Sequence, residues 1–219
     1  SDMFTENVAE DYVYFLREKG LANNTIRTYY QKTCYMFRRM QKDGYDVNFG
    51  FEYVQVEEEH IPKVALSTDE IIRIYNLNIR VKERDIVRDM FVCNCLTGFR
   101  YSDFSELTAS NISGNIIVRK TRKTGVHVEV PIHRIVREII NKYEGDFPPY
   151  EKSMQNYNKI VKNVCKQAKI NEKIFIEHTK GHNVVRKSFK KYELVSSHTA
   201  RRSFATNAYL AGIPTARIM

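Results

Sequence analysis

The chain has 219 residues, 42% of them hydrophobic, and a formal net charge of +9 at pH 7. That is enough apolar material for the core of one large domain, or of one small and one medium domain, so the chain folds in water. No apolar run approaches the ~20 residues of a membrane span and no signal-peptide pattern opens the chain, which excludes a membrane-spanning or secreted protein and points to the cytoplasm; the positive charge attracts polyanions, nucleic acid foremost and an anionic membrane second.

Phe4, Val8, Tyr12, Phe15 and Leu16 recur at helical spacing and predict a helix from Phe4 to Lys19, stopped by Gly20. Asn23 or Asn24 caps a second helix to about Lys42, with Ile26, Tyr29 or Tyr30, Thr33, Phe37 and Met40 inward and Arg27, Lys32, Arg38 and Arg39 outward. From Asp43 to Leu66 the period is lost, and Gly44, Gly50, Pro62 and the acidic run Glu57-Glu58-Glu59 mark a connection. The organisation that follows is a helical domain over residues 3–45, a linker over 46–66 and a second domain over 67–219. The fold class is mainly α with small β-hairpins, an α+β arrangement.

Ser67 or Thr68 caps a third helix whose first turn holds Asp69 and Glu70, favourable to its dipole. A fourth, roughly Val81 to Leu96, buries Met90, Phe91, Cys93 and Leu96 and ends at the left-handed stop Thr97-Gly98. Arg100 follows that stop, held more firmly than an arginine on an open surface, and Ser102 and Asp103 start another turn. Asn115–Lys120 and Val126–Ile132 alternate through Ile116, Val118, Val126, Val128 and Val130 and read as strands joined across Thr121-Arg122-Lys123-Thr124-Gly125. A lysine at such a tip can serve as a mobile point charge and proton donor. Ile135–Tyr143 and Met154–Ala168 are amphipathic helices, the second with Lys159, Lys162, Lys166 and Lys169 outward; Ile174–Glu177 and Val184–Val195 hold strand-like pieces around Lys180-Gly181-His182. Cys34, Cys93, Cys95 and Cys165 lack Cys-x-x-Cys spacing, so reduced thiols are expected, with no disulfide and no metal.

Ser196 or Ser197 then caps a helix that presents His198 and Arg201 three positions apart on one face, at the positive end of the helix dipole where phosphate is favoured. Such a pair suits a phosphodiester that gains charge during reaction, although the spacing by itself fits a solvated helix start. Gly212 and Pro214 mark a turn into a further helix.

The longer string decides between those readings. His198-Thr199-Ala200-Arg201-Arg202-Ser203-Phe204-Ala205-Thr206 resembles the second signature box of the tyrosine recombinases, the phage-integrase family. Its flanks, 193–197 and 207–210, resemble integrases of Bacteroides-type mobile elements, conjugative or mobilizable transposons. Leu96-Thr97-Gly98-Phe99-Arg100 with Ser102-Asp103 resembles the first box, whose arginine grips the scissile phosphate; Asp103 stands where the family has a bracing acidic residue. Lys123-Thr124-Gly125, followed by Val128-Glu129-Val130-Pro131-Ile132, resembles the hairpin carrying the catalytic lysine, so Lys123 is the candidate and Lys120 the reserve. Gly20 to Tyr29 resembles the core-binding domain that precedes the catalytic domain. DNA contacts are expected from Asn24, Thr25, Arg27, Lys120, Arg122 and Arg202, the last standing where relatives often have histidine.

The resemblance implies a site-specific recombinase that breaks and rejoins DNA through a 3′-phosphotyrosine, for integration or excision of a mobile element. Arg100 and Arg201 clamp the non-bridging oxygens, Lys123 protonates the leaving 5′-oxygen, and His198 hydrogen-bonds the phosphate or assists proton transfer. It implies no cofactor and no metal. The implied partners are double-stranded DNA at attachment sites, further copies of the chain on that DNA, and accessory DNA-bending proteins. The family's second histidine and its nucleophilic tyrosine come later than this chain reaches; Gly181-His182 with Tyr192 precede His198, against the family order, and Tyr209 reads as a packed core residue. The chain is therefore expected to bind DNA as part of a longer recombinase and not to cut it. Rival classes are a type IB topoisomerase, a non-catalytic DNA-binding regulator, and a metal-dependent nuclease that would recruit Glu57-Glu58-Glu59.

Overall fold

The computed structural model describes residues 5–48, 50–123 and 125–218. Phe4, Thr124 and Met219, expected in a helix, a hairpin loop and the chain end, lie outside the described residues. The elements run α1 (Glu6–Glu18), α2 (Asn23–Lys42), a 3-10 turn (Gly50–Glu52), α3 (Thr68–Tyr75), α4 (Lys82–Thr97), α5 (Tyr101–Phe104), β1 (Ile112–Ser113), β2 (Ile116–Lys120), β3 (His127–Pro131), α6 (Arg134–Lys142), α7 (Met154–Gln167), β4 (Lys173–Lys180), β5 (Asn183–Lys190), α8 (Lys191–Leu194), α9 (Ser197–Leu210) and α10 (Thr215–Ile218). They sort into two compact units. One holds residues up to Pro62 together with Phe175–Ser188, the other Lys63–Ile174 and the residues from Phe189 onward.

In the first unit α1 buries Ala9, Val13 and Leu16, whereas Val8 and Phe15, expected inward, are 44% and 52% exposed. The face turns because Gly50-Phe51 presses on the start of the helix. A Cβ on Gly50 would lie 2.2 Å from the Glu6 nitrogen, and Phe51 is fully buried in the cluster that contains the small Ala9. In α2 the buried stripe is Ile26, Tyr30 and Cys34, and the Tyr30 hydroxyl donates to the Phe51 carbonyl. Asn23 and Asn24 do not cap this helix, whose N-cap is Ala22; their amides donate instead to the carbonyls of Glu57 and Glu59 at 2.9 and 2.7 Å. β4 and β5 pair as a two-stranded sheet. At its tip the Gly181 N–H donates to the Leu21 carbonyl at 2.9 Å, and His182 Nε2 lies 2.9 Å from a Glu18 carboxylate oxygen.

In the second unit α4 is the central element. It is buried continuously from Val87 to Cys95, as befits a helix covered on every side, here by α3, α6, α7 and α9. Ser67 caps α3 in a reciprocal capping box with Glu70, as the sequence predicts. The strands β1, β2 and β3 form one antiparallel sheet in that order, with Ile112 opposite Ile117 and Ile117 opposite Val130. The expected phase of β2 is off by one residue: Ile117, not Ile116 or Val118, is fully buried, because a pleated strand places odd and even positions on opposite faces. Val126, expected in a strand, precedes β3 and is 56% exposed.

Two expectations near the end of the chain also change. Residues 191–194 continue as the helical turn α8 and not as strand, with the Glu193 carboxylate accepting from the Lys190 N–H at 2.7 Å. Tyr209, expected to pack in the core, is 63% exposed; Ala208 beside it makes the inward contact. The four cysteines are buried free thiols, and burial pushes Cys93 and Cys95 well up and Cys165 up to about 12. No helix among the described residues is long and apolar enough to cross a membrane.

Candidate functional site

The site begins where α4 stops. Gly98 ends that helix at φ +72°, a conformation glycine adopts without cost, and the Phe204 ring of α9 lies where its side chain would be: a Cβ would stand 2.4 Å from Phe204 Cδ1. The last carbonyls of a helix have no partner within it. Here the Gly98 carbonyl accepts from Arg201 Nη1 at 2.6 Å.

α9 is held in register from several sides. The Ser203 hydroxyl accepts from the Leu66 N–H at 2.8 Å and donates to the Thr199 carbonyl at 2.7 Å, and the Asn207 amide donates to the Leu66 carbonyl at 2.9 Å. At its start the Ser197 N–H donates to Asn158 Oδ1 at 2.8 Å, satisfying one of the four orphan donors of a helix beginning. Ala200 is fully buried against the core, so the next residue, Arg201, emerges half-buried at the edge of it.

Arg100 is the N-cap of α5, and its Nη1 stands 3.8 Å from Asp103 Oδ2. Asp103 is 1% exposed, and its other oxygen accepts the backbone N–H of Arg122 at 2.9 Å. One buried carboxylate therefore faces Arg100 and fastens the β2–β3 turn beside it. The Arg201 pKa is lowered first by burial and then by the charge of Arg100, with Asp103 opposing. The charge of Arg100 is thus felt at Arg201, a repulsion that a bound anion would relieve.

The remaining candidates of this unit lie in β2 and the turn that follows it and in α9. Lys123 is exposed in the turn, one residue beyond the anchored Arg122 N–H, and Lys120 is exposed at the end of β2. The turn closes through Thr121 N–H to the Val126 carbonyl and Gly125 N–H to the Thr121 carbonyl, both 2.9 Å. His198 is exposed in the first turn of α9, and its carbonyl accepts from Arg202 Nε at 3.3 Å; burial lowers the pKa of Arg202. The Arg122 side chain reaches Glu106 at 3.3 Å. Asn24, Thr25 and Arg27 belong to the first unit, where Arg27 Nη1 pairs with Glu58 at 3.2 Å.

Direct contacts link Arg100 to Asp103, the Arg122 N–H to Asp103, and Arg201 to the Gly98 carbonyl; Lys123 follows Arg122 in the turn, and His198 stands three positions before Arg201 in α9. Asn158 and Ser203 are not legible in the sequence as supports of α9, since neither pattern nor spacing links them to Ser197 and Leu66. Gly98 was visible as a helix stop, but its role as acceptor for Arg201 was not.

No protein-family model and no curated protein matches the chain. Solved structures do. A lambda integrase dimer bound to a COC′ core site superposes with a TM-score of 0.70 at 14% identity, over 99% of this chain and 77% of that one. The Tn1549 transposon integrase in complex with transposon right end DNA gives 0.71 at 17%, over 99% and 76%. The XerH site-specific recombinase bound to difH substrate gives 0.60 at 16%, over 95% and 61%. The chain has the α+β fold of tyrosine recombinases and integrases.

Proposed function

We propose that the chain binds double-stranded DNA and holds one backbone phosphate for strand exchange, as part of a tyrosine-type site-specific recombinase of a mobile element. The observation that carries this reading is that Arg201, from a distant segment, donates to the carbonyl of Gly98 at the end of α4, two residues before Arg100, whose guanidinium faces the buried Asp103. A phosphodiester under attack by an oxygen nucleophile gathers charge on its non-bridging oxygens, and two planar forks fixed beforehand stabilise that charge without reorganising. Lys123, on a turn anchored through Asp103, supplies the proton for the departing 5′-oxygen, and His198 a hydrogen bond to the phosphate. Lys120, Arg122 and Arg202 contact the neighbouring backbone, and Asn24, Thr25 and Arg27 contact DNA from the helical unit.

The covalent step requires a tyrosine hydroxyl, which attacks phosphorus as the 5′-oxygen leaves with a proton, giving a 3′-phosphotyrosine that a second strand's 5′-hydroxyl reverses. We assign the element to the Bacteroides type from the flanks of the second box. Copies of the chain assemble on the DNA in the cytoplasm, with accessory bending proteins. The test is covalent capture of a nicked suicide duplex by the complete gene product. Capture that disappears in Arg100→Ala and in Arg201→Ala, with duplex binding preserved, supports the reading; undiminished capture removes that arginine from the site. A DNA-binding regulator without chemistry is the second reading, favoured by the free exposure of Lys123 and His198, and it predicts binding with no capture in any form.

A further inference from the structure

The segment that follows α2 runs back along that helix within the same unit. Residues 52–59 hold four carboxylates, Glu52, Glu57, Glu58 and Glu59, and no Lys or Arg; α2 holds five cations, Arg27, Lys32, Arg38, Arg39 and Lys42, and no Asp or Glu. The two are joined at both ends. At one end Arg38 Nε meets Glu52 Oε1 at 2.9 Å. At the other, Arg27 Nη1 meets Glu58 Oε2 at 3.2 Å, and Asn23 and Asn24 hold the backbone at Glu57 and Glu59. Between the ends lies an open groove of about 580 Å³, bordered by Gln31 and Tyr35 of α2 and by Gln55 of the segment. The Glu59 carboxylate is engaged elsewhere, accepting from the N–H and hydroxyl of Thr179.

Arg27 and Arg38 are three turns apart on one side of α2, and each is covered by a carboxylate that is itself solvent-exposed. Exposed pairs of this kind contribute little, roughly 0.2–1 kcal/mol each, so a phosphate can replace either carboxylate at small cost. The Asn23 and Asn24 bonds are to backbone and survive such an exchange. We propose that residues 52–58 form an acidic strap that competes with the DNA backbone for Arg27 and Arg38, so that α2 engages a duplex only by trading two carboxylates for two phosphates. This rests on the DNA-binding reading above and deepens it: the strap sets affinity by competition and discriminates against weakly charged surfaces.

The experiment is a four-way comparison of duplex affinity by fluorescence anisotropy in ~100 mM salt. It uses wild type, Glu52→Gln/Glu58→Gln, Arg27→Gln/Arg38→Gln, and the four changes combined, each checked by circular dichroism. The strap predicts that removing the two carboxylates tightens binding about fivefold in the wild-type background, and that the gain falls below about 1.5-fold once both arginines are gone. An equal gain in both backgrounds would show a general charge effect and overturn the strap, as would no gain at all in folded protein. Failure of the wild-type chain to bind duplex with salt dependence is a separate result, which would remove the proposed function itself.

Discussion

Arg201 donates to the carbonyl of Gly98 across 103 positions of sequence, a 2.6 Å contact that joins the second turn of α9 to the end of α4. This bond orients one guanidinium of the candidate site, and Arg100 stands two residues beyond the same glycine. The site is therefore a by-product of how two helices pack, and disturbing that packing should disturb the site before it unfolds the chain.

Gly98→Ala tests the packing. The φ of +72° costs an alanine roughly 1–2 kcal/mol, and a methyl group 2.4 Å from Phe204 adds an overpacking cost of roughly 1–3 kcal/mol. Urea denaturation should show a loss of about 2–5 kcal/mol, with partial recovery when Phe204→Ala is added to remove the clash. A loss under ~0.5 kcal/mol, in the range of an indifferent surface change, would mean that the glycine is not needed.

Asp103→Ala removes the acceptor of the Arg122 N–H and the carboxylate beside Arg100 at one stroke. A buried charged hydrogen bond of this kind contributes about 1.5–3 kcal/mol, and a loss of that order is expected. The β2–β3 turn should also loosen, so limited trypsin digestion should cut after Arg122 and Lys123 faster than in wild type. Unchanged cleavage there would separate the turn from Asp103.

Alkaline pH should destabilise the chain through its thiols. Burial holds Cys93, Cys95 and Cys165 above their ordinary value of 9.0, so the unfolded chain loses these protons first. A raised folded pKa gives stability that is complete below pH 9.0 and falls as pH rises toward the folded value, about 12 for Cys165. Each thiol contributes about 1.4 kcal/mol per pH unit in that window, so the three together should remove about 4 kcal/mol between pH 8 and pH 10. Cys165→Ala should reduce that slope by about a third. A flat urea midpoint over this range would contradict the burial of the three groups.

Ser203→Ala leaves the Leu66 N–H without its acceptor inside the core. The expected cost is about 1–3 kcal/mol in thermal or urea unfolding, with α9 still helical by circular dichroism. Ser203→Thr keeps the hydroxyl and should retain most of the stability.

Much of this fold is legible in the sequence, because helix stops and caps act locally. Gly98, Gly20, Gly212 and Ser67 mark their boundaries through backbone conformations or hydroxyl bonds that depend on few neighbours. Facing is less legible. The phase of β2 and the turned face of α1 are set by Val130 across a ladder and by Gly50-Phe51 from a distant segment, and periodicity cannot see partners. At the site, Arg100 and Arg201 were apparent from the string in which each sits. That Arg201 reaches the Gly98 carbonyl, two residues before Arg100, follows only from the packing of α4 against α9.

The most direct measurement is the salt dependence of duplex affinity for wild type, Arg100→Ala, Arg201→Ala and the double variant. Each phosphate neutralised contributes about 0.9 to the log–log slope. If the two arginines grip the same phosphate, the double variant should lose about 0.9 in all, because either side chain alone still holds that group. A loss of about 1.8 would place them on two separate phosphates, and no loss would take both off the DNA; either result contradicts the account.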